Sequence, residues 1–315
     1  MSEKKKLVIL SGPTAAGKSA LSISLAKDIG GEIISADSMQ VYKYLDIGSD
    51  KISKEAMKGV PHYLVDVLDP KDDFNVARFQ TMAKEAMEKI YSNGHIPIVV
   101  GGTGFYIQAL LYGIDFEEEQ VDPALRARLE EEAERLGKTA MHKRLEEKDP
   151  ESAAAIPEGN LKRVLRALEY YESTGEKFSD YNANERRKEA VYDFFYFVVT
   201  KPREELYKGI EERIDLMIER GLAEEVKALV EMGVPEEANS MKGIGYRQLI
   251  PYLKGEITLE KAIYDIKLDT RHFAKRQLTW FRRERDVRFI EKDKFSSDED
   301  VLKYMEDEIR KRWEI

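Results

Sequence analysis

Eight residues near the start of this chain limit its possible folds more than any other stretch. Gly12-Pro13-Thr14-Ala15-Ala16-Gly17-Lys18-Ser19 fits G-x-x-x-x-G-K-[ST] at every defined position. Glycines in such a loop let backbone N–H groups wrap phosphate oxygens, and the helix that follows points its positive end at them. Lys18 reaches the terminal phosphate, and the Ser19 hydroxyl can hold a Mg²⁺ ion. The motif needs a strand before it and a helix after it. Both are present. Leu7–Leu10 is an all-apolar run of strand length, and Leu21, Leu25 and Ile29 repeat at helical spacing over Ser19–Ile29.

The pattern continues with a second strand at Glu32–Ala36, a third at His62–Val67 and a strong fourth at Ile96–Val100, with a helix over Phe79–Tyr91. Strands alternating with helices imply βαβ units. The expected fold class is α/β: a P-loop NTPase-like parallel sheet flanked by helices, with an all-helical insertion. From about Glu117 to Lys188 there is no strand pattern, only charged helical stretches at Pro123–Leu136, Ala140–Glu147 and Asn160–Ser173. Asp193–Thr200 then returns as a β-prone run. This predicts a core made of residues 1–116 and 191–315, interrupted by an insertion at 117–190. The second part of the core reads as helical, over Arg203–Met232 and Leu259–Arg285, with a Gly-rich turn at Gly243–Gly245.

Composition excludes several classes. No apolar run approaches a membrane span, and only four apolar residues follow the charged start Met1–Lys6, too few for a secretory signal. The chain has no cysteine, which rules out disulfides and thiolate metal sites and fits a cytoplasmic enzyme. Its net charge of −9 argues against nucleic acid, but the average hides an asymmetry. Arg271–Arg288 carries seven Lys/Arg against two Asp/Glu, a local +5, and phosphate backbones respond to the local patch.

Other candidate groups fall at strand ends, where ligands of an open parallel sheet sit. Asp37 directly follows the second strand and reads as a general base, a Mg²⁺ ligand or a helix N-cap; Asp66 competes for the metal role. Gly101-Gly102-Thr103-Gly104 follows the fourth strand, with glycines for close approach and a hydroxyl on Thr103. On a helix read over Glu205–Val230, Arg213 and Arg220 lie seven apart and emerge on nearly one side. They suit a pyrophosphate, or are solvated arginines bonded to Glu neighbours. Lys275, Arg276, Gln277, Trp280 and Arg282 belong to a basic run with interleaved aromatics, which suits RNA or a plain solvated face. His62, His95, His142 and His272 are dispersed and show no ligand spacing.

Taken together these stretches resemble the tRNA dimethylallyltransferases (isopentenyl-pyrophosphate:tRNA transferases) of bacterial type. The matching pieces are the P-loop, Ser35–Tyr42 with Asp46-Ile47-Gly48, Gly101–Tyr106, Arg163–Glu169 with Gly175, Gly245-Tyr246-Arg247-Gln248 and Lys275–Arg282. They recur in order over nearly the whole chain. The resemblance implies transfer of a dimethylallyl group from dimethylallyl diphosphate to the exocyclic amine of the adenosine 3′-adjacent to the anticodon. Pyrophosphate would leave, and no phosphoryl group would move. It further implies Gly12–Ser19 as the diphosphate site, Mg²⁺ at Ser19, and Asp37, Thr103, Lys18, Arg213 and Arg220 as the catalytic set. The contacts it implies to a tRNA anticodon stem-loop are Asp37, Ser38, Met39, Gln40, Thr103, Arg126, Lys162, Arg163, Arg166, Lys242, Tyr246, Arg247, Lys275, Arg276, Gln277, Trp280 and Arg282. The enzyme is expected to be a cytoplasmic monomer with no membrane partner. P-loop kinases of small metabolites or nucleotides, and isopentenyltransferases acting on free adenine nucleotides, are the alternatives.

Overall fold

Leu7 to Leu10 are wholly buried in the computed structural model, which describes residues 4–114 and 122–314. They form the centre of β1 (Lys6–Ser11), which lies between parallel neighbours β4 (Ile96–Gly101) and β5 (Asp193–Thr200). A parallel strand covered on both faces has no solvent side on which to alternate, so its sequence is a continuous apolar run. The sheet has six strands in the order β3-β2-β4-β1-β5-β6, where β2 is Gly31–Ser35, β3 is His62–Tyr63 and β6 is Val287–Glu291. Every neighbouring pair is parallel.

The strand side chains point alternately to the two faces. Val8, Leu10, Phe195, Phe197 and Val199 share a core with Leu21 and Leu25 of α1 (Lys18–Ile29) and with Met305 and Ile309 of α13 (Asp298–Trp313). The other elements of this unit are α2 (Val76–Ser92), α3 (Gly104–Tyr112), α9 (Arg203–Glu219), α10 (Leu222–Glu231), α11 (Tyr246–Leu253) and α12 (Leu259–Phe281). P-loop, Asp37 and the Gly-Gly-Thr turn all leave the carboxyl ends of strands, β1, β2 and β4.

Residues 1–111 and 192–315 make one compact unit, and Tyr112–Val191 makes a second. The sequence-based start of the insertion, at residue 117, lies outside the described residues. Helices α4 (Pro123–Leu136), α5 (Lys138–Lys148), α6 (Pro150–Ala155), α7 (Leu161–Thr174) and α8 (Phe178–Arg187) build the second unit around Leu129, Met141, Leu145, Val164 and Leu168. Asp149 is its polar keystone. The carboxylate accepts from Ser152 N at 3.0 Å, capping α6, and from Ser179 N and Oγ at 2.9 and 2.7 Å.

Four expectations are corrected. The third strand is His62–Tyr63, two residues long, and does not run on to Val67, because Leu64 (φ 61°) and Asp66 (φ 58°) turn left-handed. Arg203–Met232 is two helices, broken where Gly221 adopts φ 93°. The last part of the core is not wholly helical: α12 stops at Phe281 and β6 adds an edge strand beside β5. Its half-exposed Val-Arg-Phe-Ile-Glu pattern is too short and too charged to signal a strand against the basic helix before it. Two short helices, α6 and α8, also lie where turns or no element were read.

Burial pushes the Asp149 carboxyl up, but the hydrogen bonds from Ser152 and Ser179 outweigh it and hold the group below its ordinary range. A depressed carboxyl stabilises the fold above the unfolded pKa, and that contribution is lost as pH falls through the folded one. Asp149→Asn should therefore destabilise the second unit by roughly 1–3 kcal/mol at neutral pH. In urea titrations the difference from wild type should shrink as pH drops below the usual aspartate range, about 4. A pH-independent difference would contradict the ionised cap.

Candidate active site

Ser11 ends β1 and donates its hydroxyl to Gly101 O at 2.6 Å, joining the ends of β1 and β4. From there the chain enters a tight loop with Gly12 at φ 144°, Ala15 at φ 64° and Gly17 at φ 86°. Gly17 starts α1 with no side-chain cap and no acidic residue in the first turn, so the helix's free N–H groups and positive end face the loop. Lys18 Nζ donates to Gly12 O and Pro13 O at 3.0 and 2.8 Å. Burial lowers its pKa to about 8, and Arg213 pushes in the same direction, while Asp37 and Asp50 oppose both.

Arg213 reaches this loop from α9. Its NH2 donates to Thr14 Oγ1 at 2.5 Å and its NH1 to Asp50 Oδ2 at 3.4 Å, whereas the buried Nε has no partner among the described residues. A guanidinium with five donors and few acceptors beside an ammonium group is built for an anion. Arg220 does not join it. It caps the exposed end of α9 and is not among the residues lining the cleft. Helical spacing aligned the two arginines, but the chain leaves the helix at Gly221.

Opposite the loop, Asp37 follows β2 by two residues. Its Oδ1 accepts from Met39 N and Gln40 N at 2.8 and 3.3 Å, capping a bend rather than a helix. Among the described residues nothing donates to Oδ2, so one oxygen is fixed and the other is available. Thr103 is hung from the same strand end, its N–H donating to Ala36 O at 3.3 Å. Gly101 has to be glycine, because a Cβ there would lie 2.4 Å from Ala36 O.

These groups line one cleft of about 710 Å³ within the first unit. It takes in Thr14, Ala15, Gly17, Lys18, Ser19, Asp37, Ser38, Met39, Gln40, Thr103 and Arg213. Lys242, Arg247, Arg276 and Gln277 line it as well, whereas Gly12, Pro13 and Ala16 of the loop do not. Sequence reading missed Ser49 and Asp50, which form a wall of the cleft. The only signal was the neighbouring Asp46-Ile47-Gly48, read as a match without a role. Asp66 pairs with Lys51 at 2.8 Å and is not a cleft residue, so it does not compete with Asp37.

Two expected RNA contacts have other partners. Tyr246 is wholly buried, with its hydroxyl donating to Glu225 Oε1 at 2.7 Å. Gln277 is a strut: its Oε1 accepts from Thr14 N and its Nε2 donates to Gly102 O, both at 3.0 Å. It ties the P-loop to the Gly-Gly-Thr turn across the cleft. Other residues of the basic helix face away from the core, Arg276 at both the cleft and the outer surface. His272, Lys275, Arg276, Thr279, Trp280 and Arg283 line a shallow concavity of about 430 Å³, and Arg282 is exposed at the end of α12. Trp280 lies on Gly104, where a Cβ would come within 2.2 Å of the indole, and meets Phe105 edge-on at 6.2 Å.

In the second unit Arg126 and Arg166 both bind the buried Glu169, at 2.6 and 3.3 Å. Lys162 and Arg163 are exposed on the first turn of α7. Among the described residues no group of three or more His, Asp or Glu gathers as a metal cluster. No helix among them is long and apolar enough to cross a membrane.

The IPP transferase family profile matches residues 40–284. A tRNA dimethylallyltransferase of Lachnoclostridium phytofermentans is 52% identical over 95% of this chain and 96% of its own length. One from Acetivibrio thermocellus is 44% identical over 94% and 95%. The crystal structure of a tRNA isopentenylpyrophosphate transferase from Staphylococcus epidermidis superposes with TM-score 0.73 at 41% identity, covering 98% of this chain and 100% of that one. A eukaryotic dimethylallyltransferase acting on tRNA gives TM-score 0.78 at 31% identity, over 91% of this chain and 74% of that one. With its phosphate loop, facing carboxylate and basic helix in this order over matched full lengths, the chain belongs to the IPP transferase family.

Proposed function

We propose that this protein moves a dimethylallyl group from dimethylallyl diphosphate to the exocyclic amine of the adenosine 3′-adjacent to the anticodon in tRNA. The observation that carries this reading is the pairing of an anion site, made by Lys18, Arg213 and the amides of Gly12–Ser19, with the one-sided carboxylate of Asp37 in a single cleft. The chain's similarity to tRNA dimethylallyltransferases, up to 52% identical, supports the substrate class.

The chemistry follows from those groups. An adenine amine is a poor nucleophile because its lone pair is delocalised into the ring. As its nitrogen bonds to the allylic C1, the C1–O bond to diphosphate breaks and the amine must lose a proton. Asp37 Oδ2 takes that proton, while Oδ1 stays anchored by the amides of Met39 and Gln40. Loop amides, Lys18 and Arg213 receive the charge that gathers on the departing diphosphate. Thr103 orients the base, which has to leave its stack to enter the cleft. The donors near the loop are oxygens, the Ser19 hydroxyl and nearby carboxylates, which suits a hard cation. Ser19 would hold Mg²⁺ there, and the ion would supply further neutralisation of the diphosphate.

For tRNA, the reading assigns the anticodon stem-loop to Lys242 and Arg247 at the cleft, to Lys275, Arg276, Trp280 and Arg282 on the basic helix, and to Lys162, Arg163, Arg126 and Arg166 of the helical unit at 117–190. Arg220, Tyr246 and Gln277 are left out, for the exposure and partners described above. A cytoplasmic monomer suits this substrate.

Incubation with unmodified tRNA, Mg²⁺ and labelled dimethylallyl diphosphate, followed by nucleoside analysis, should yield labelled prenyl-adenosine. Transfer of a γ-phosphoryl group from ATP to a small acceptor, with tRNA unlabelled, would make the protein a kinase instead. Asp37→Ala should retain tRNA affinity and lose roughly 10²–10⁴-fold in single-turnover rate; an unchanged rate removes Asp37 as the base. Lys18 is charged below about pH 8 and neutral above it. kcat/KM for dimethylallyl diphosphate should therefore fall as pH rises past about 8, and Lys18→Arg should abolish that limb. A flat profile in the wild type would contradict the assignment.

A further inference from the structure

Glu225, in the first turn of α10, accepts an unusual set of hydrogen bonds for a surface-helix carboxylate. Three consecutive backbone amides point at it: Asp46 N and Ile47 N reach Oε2 at 2.9 and 2.7 Å, and Gly48 N reaches Oε1 at 3.0 Å. Tyr246 OH adds a fourth donor to Oε1 at 2.7 Å. Consecutive amides in this arrangement form an anion-binding nest, and here the anion is built into the chain. Tyr246 also closes the floor: a Cβ on Gly48 would lie 2.7 Å from its ring, so the loop rests directly on the aromatic face.

The clamped loop does not end at Gly48. It continues into Ser49 and Asp50, whose carbonyls both accept from Gln40 Nε2 at 3.2 Å. Asp50 is held at φ 50°, in the left-handed region, and its carboxylate meets Arg213 NH1 at 3.4 Å. Arg213 in turn grips Thr14 of the P-loop. A continuous path therefore runs from Glu225 through residues 46–50 to Asp50, then to the guanidinium and the phosphate loop.

We infer that Glu225 and Asp50 are positioning residues for the diphosphate: Glu225 pins the 46–50 loop so that Asp50 aims Arg213, leaving the guanidinium's remaining donors turned to the anion. Neither residue needs to touch substrate. The inference rests on reading the cleft as a diphosphate site, and it adds two residues to which that reading gives no role.

Glutamine at position 225 keeps one acceptor oxygen and presents an NH₂ group to two of the four donors, which breaks the clamp without opening a cavity. The probe is inorganic pyrophosphate, as a competitive inhibitor against dimethylallyl diphosphate, with tRNA affinity followed in parallel. Glu225→Gln and Asp50→Asn should each raise the pyrophosphate Ki roughly tenfold or more and leave the Kd for tRNA unchanged. Because both act through Arg213, the double variant should be no worse than the poorer single one. A purely structural Glu225 would lower Tm yet leave Ki at the wild-type value, and that result overturns the inference, as do additive effects. Should Glu225→Gln fail to fold, Asp50→Asn alone decides: an unchanged Ki refutes the path. If the wild type itself is not inhibited by pyrophosphate, the diphosphate reading falls and this inference with it; inhibition equal in wild type and variants sinks the positioning path alone.

Discussion

Two half-buried cations held close together, Lys18 and Arg213, are the constraint around which the first unit is organised. The cost of burial, with repulsion from Arg213 added to it, lowers the Lys18 pKa to about 8. An arrangement of this kind is costly in the absence of an anion, because buried charges need partners. Asp37 and Asp50 supply partial compensation, and the carbonyls of Gly12 and Pro13 hold the ammonium. Charge that is incompletely balanced before the ligand arrives is what gives a site affinity for a diphosphate. The sheet makes this possible by bringing the ends of β1, β2 and β4 side by side, so that one cleft contains groups distant in sequence.

The same edge supports the other half of the chemistry. Asp37 is immobilised through one oxygen only, and Thr103 is hung from Ala36 on the adjoining strand end. Gln277 crosses from the basic helix to both the P-loop and the Gly-Gly-Thr turn. The side of α12 that faces the cleft is thereby mechanically continuous with the side that carries Lys275, Arg276 and Trp280. Under the proposed function, RNA contact and diphosphate geometry would be linked through this one helix.

The parts readable from sequence are those with local physical causes. β1, β4 and β5 announce themselves as apolar or β-branched runs because each is covered on both faces. The P-loop is legible because its backbone conformation demands particular residues, and Asp37 because it directly follows a strand. The less legible parts depend on contacts made by the tertiary fold. Arg213 and Arg220 share a helical face on paper, yet only the first reaches the cleft. Tyr246 and Gln277 look like recognition residues in a motif, and burial turns both into structural supports. Asp50 and Glu225 had no local signal, since their function exists only once α10 packs beside the 46–48 loop. β6 is an edge strand, half exposed and five residues long, and its pattern is overwritten by the charge around it.

The central claim is that a cationic loop holds the leaving diphosphate while the free oxygen of Asp37 faces the attacking amine. A crystal structure of the complex with an anticodon stem-loop and an unreactive thiodiphosphate analogue of the prenyl donor tests it most directly. The account predicts the diphosphate on the amides of Gly12–Ser19 with Lys18 and Arg213 against it, and the exocyclic nitrogen of an unstacked adenine within hydrogen-bond reach of Asp37 Oδ2. An adenine amine remote from Asp37, or the analogue bound away from Lys18 and Arg213, would contradict it.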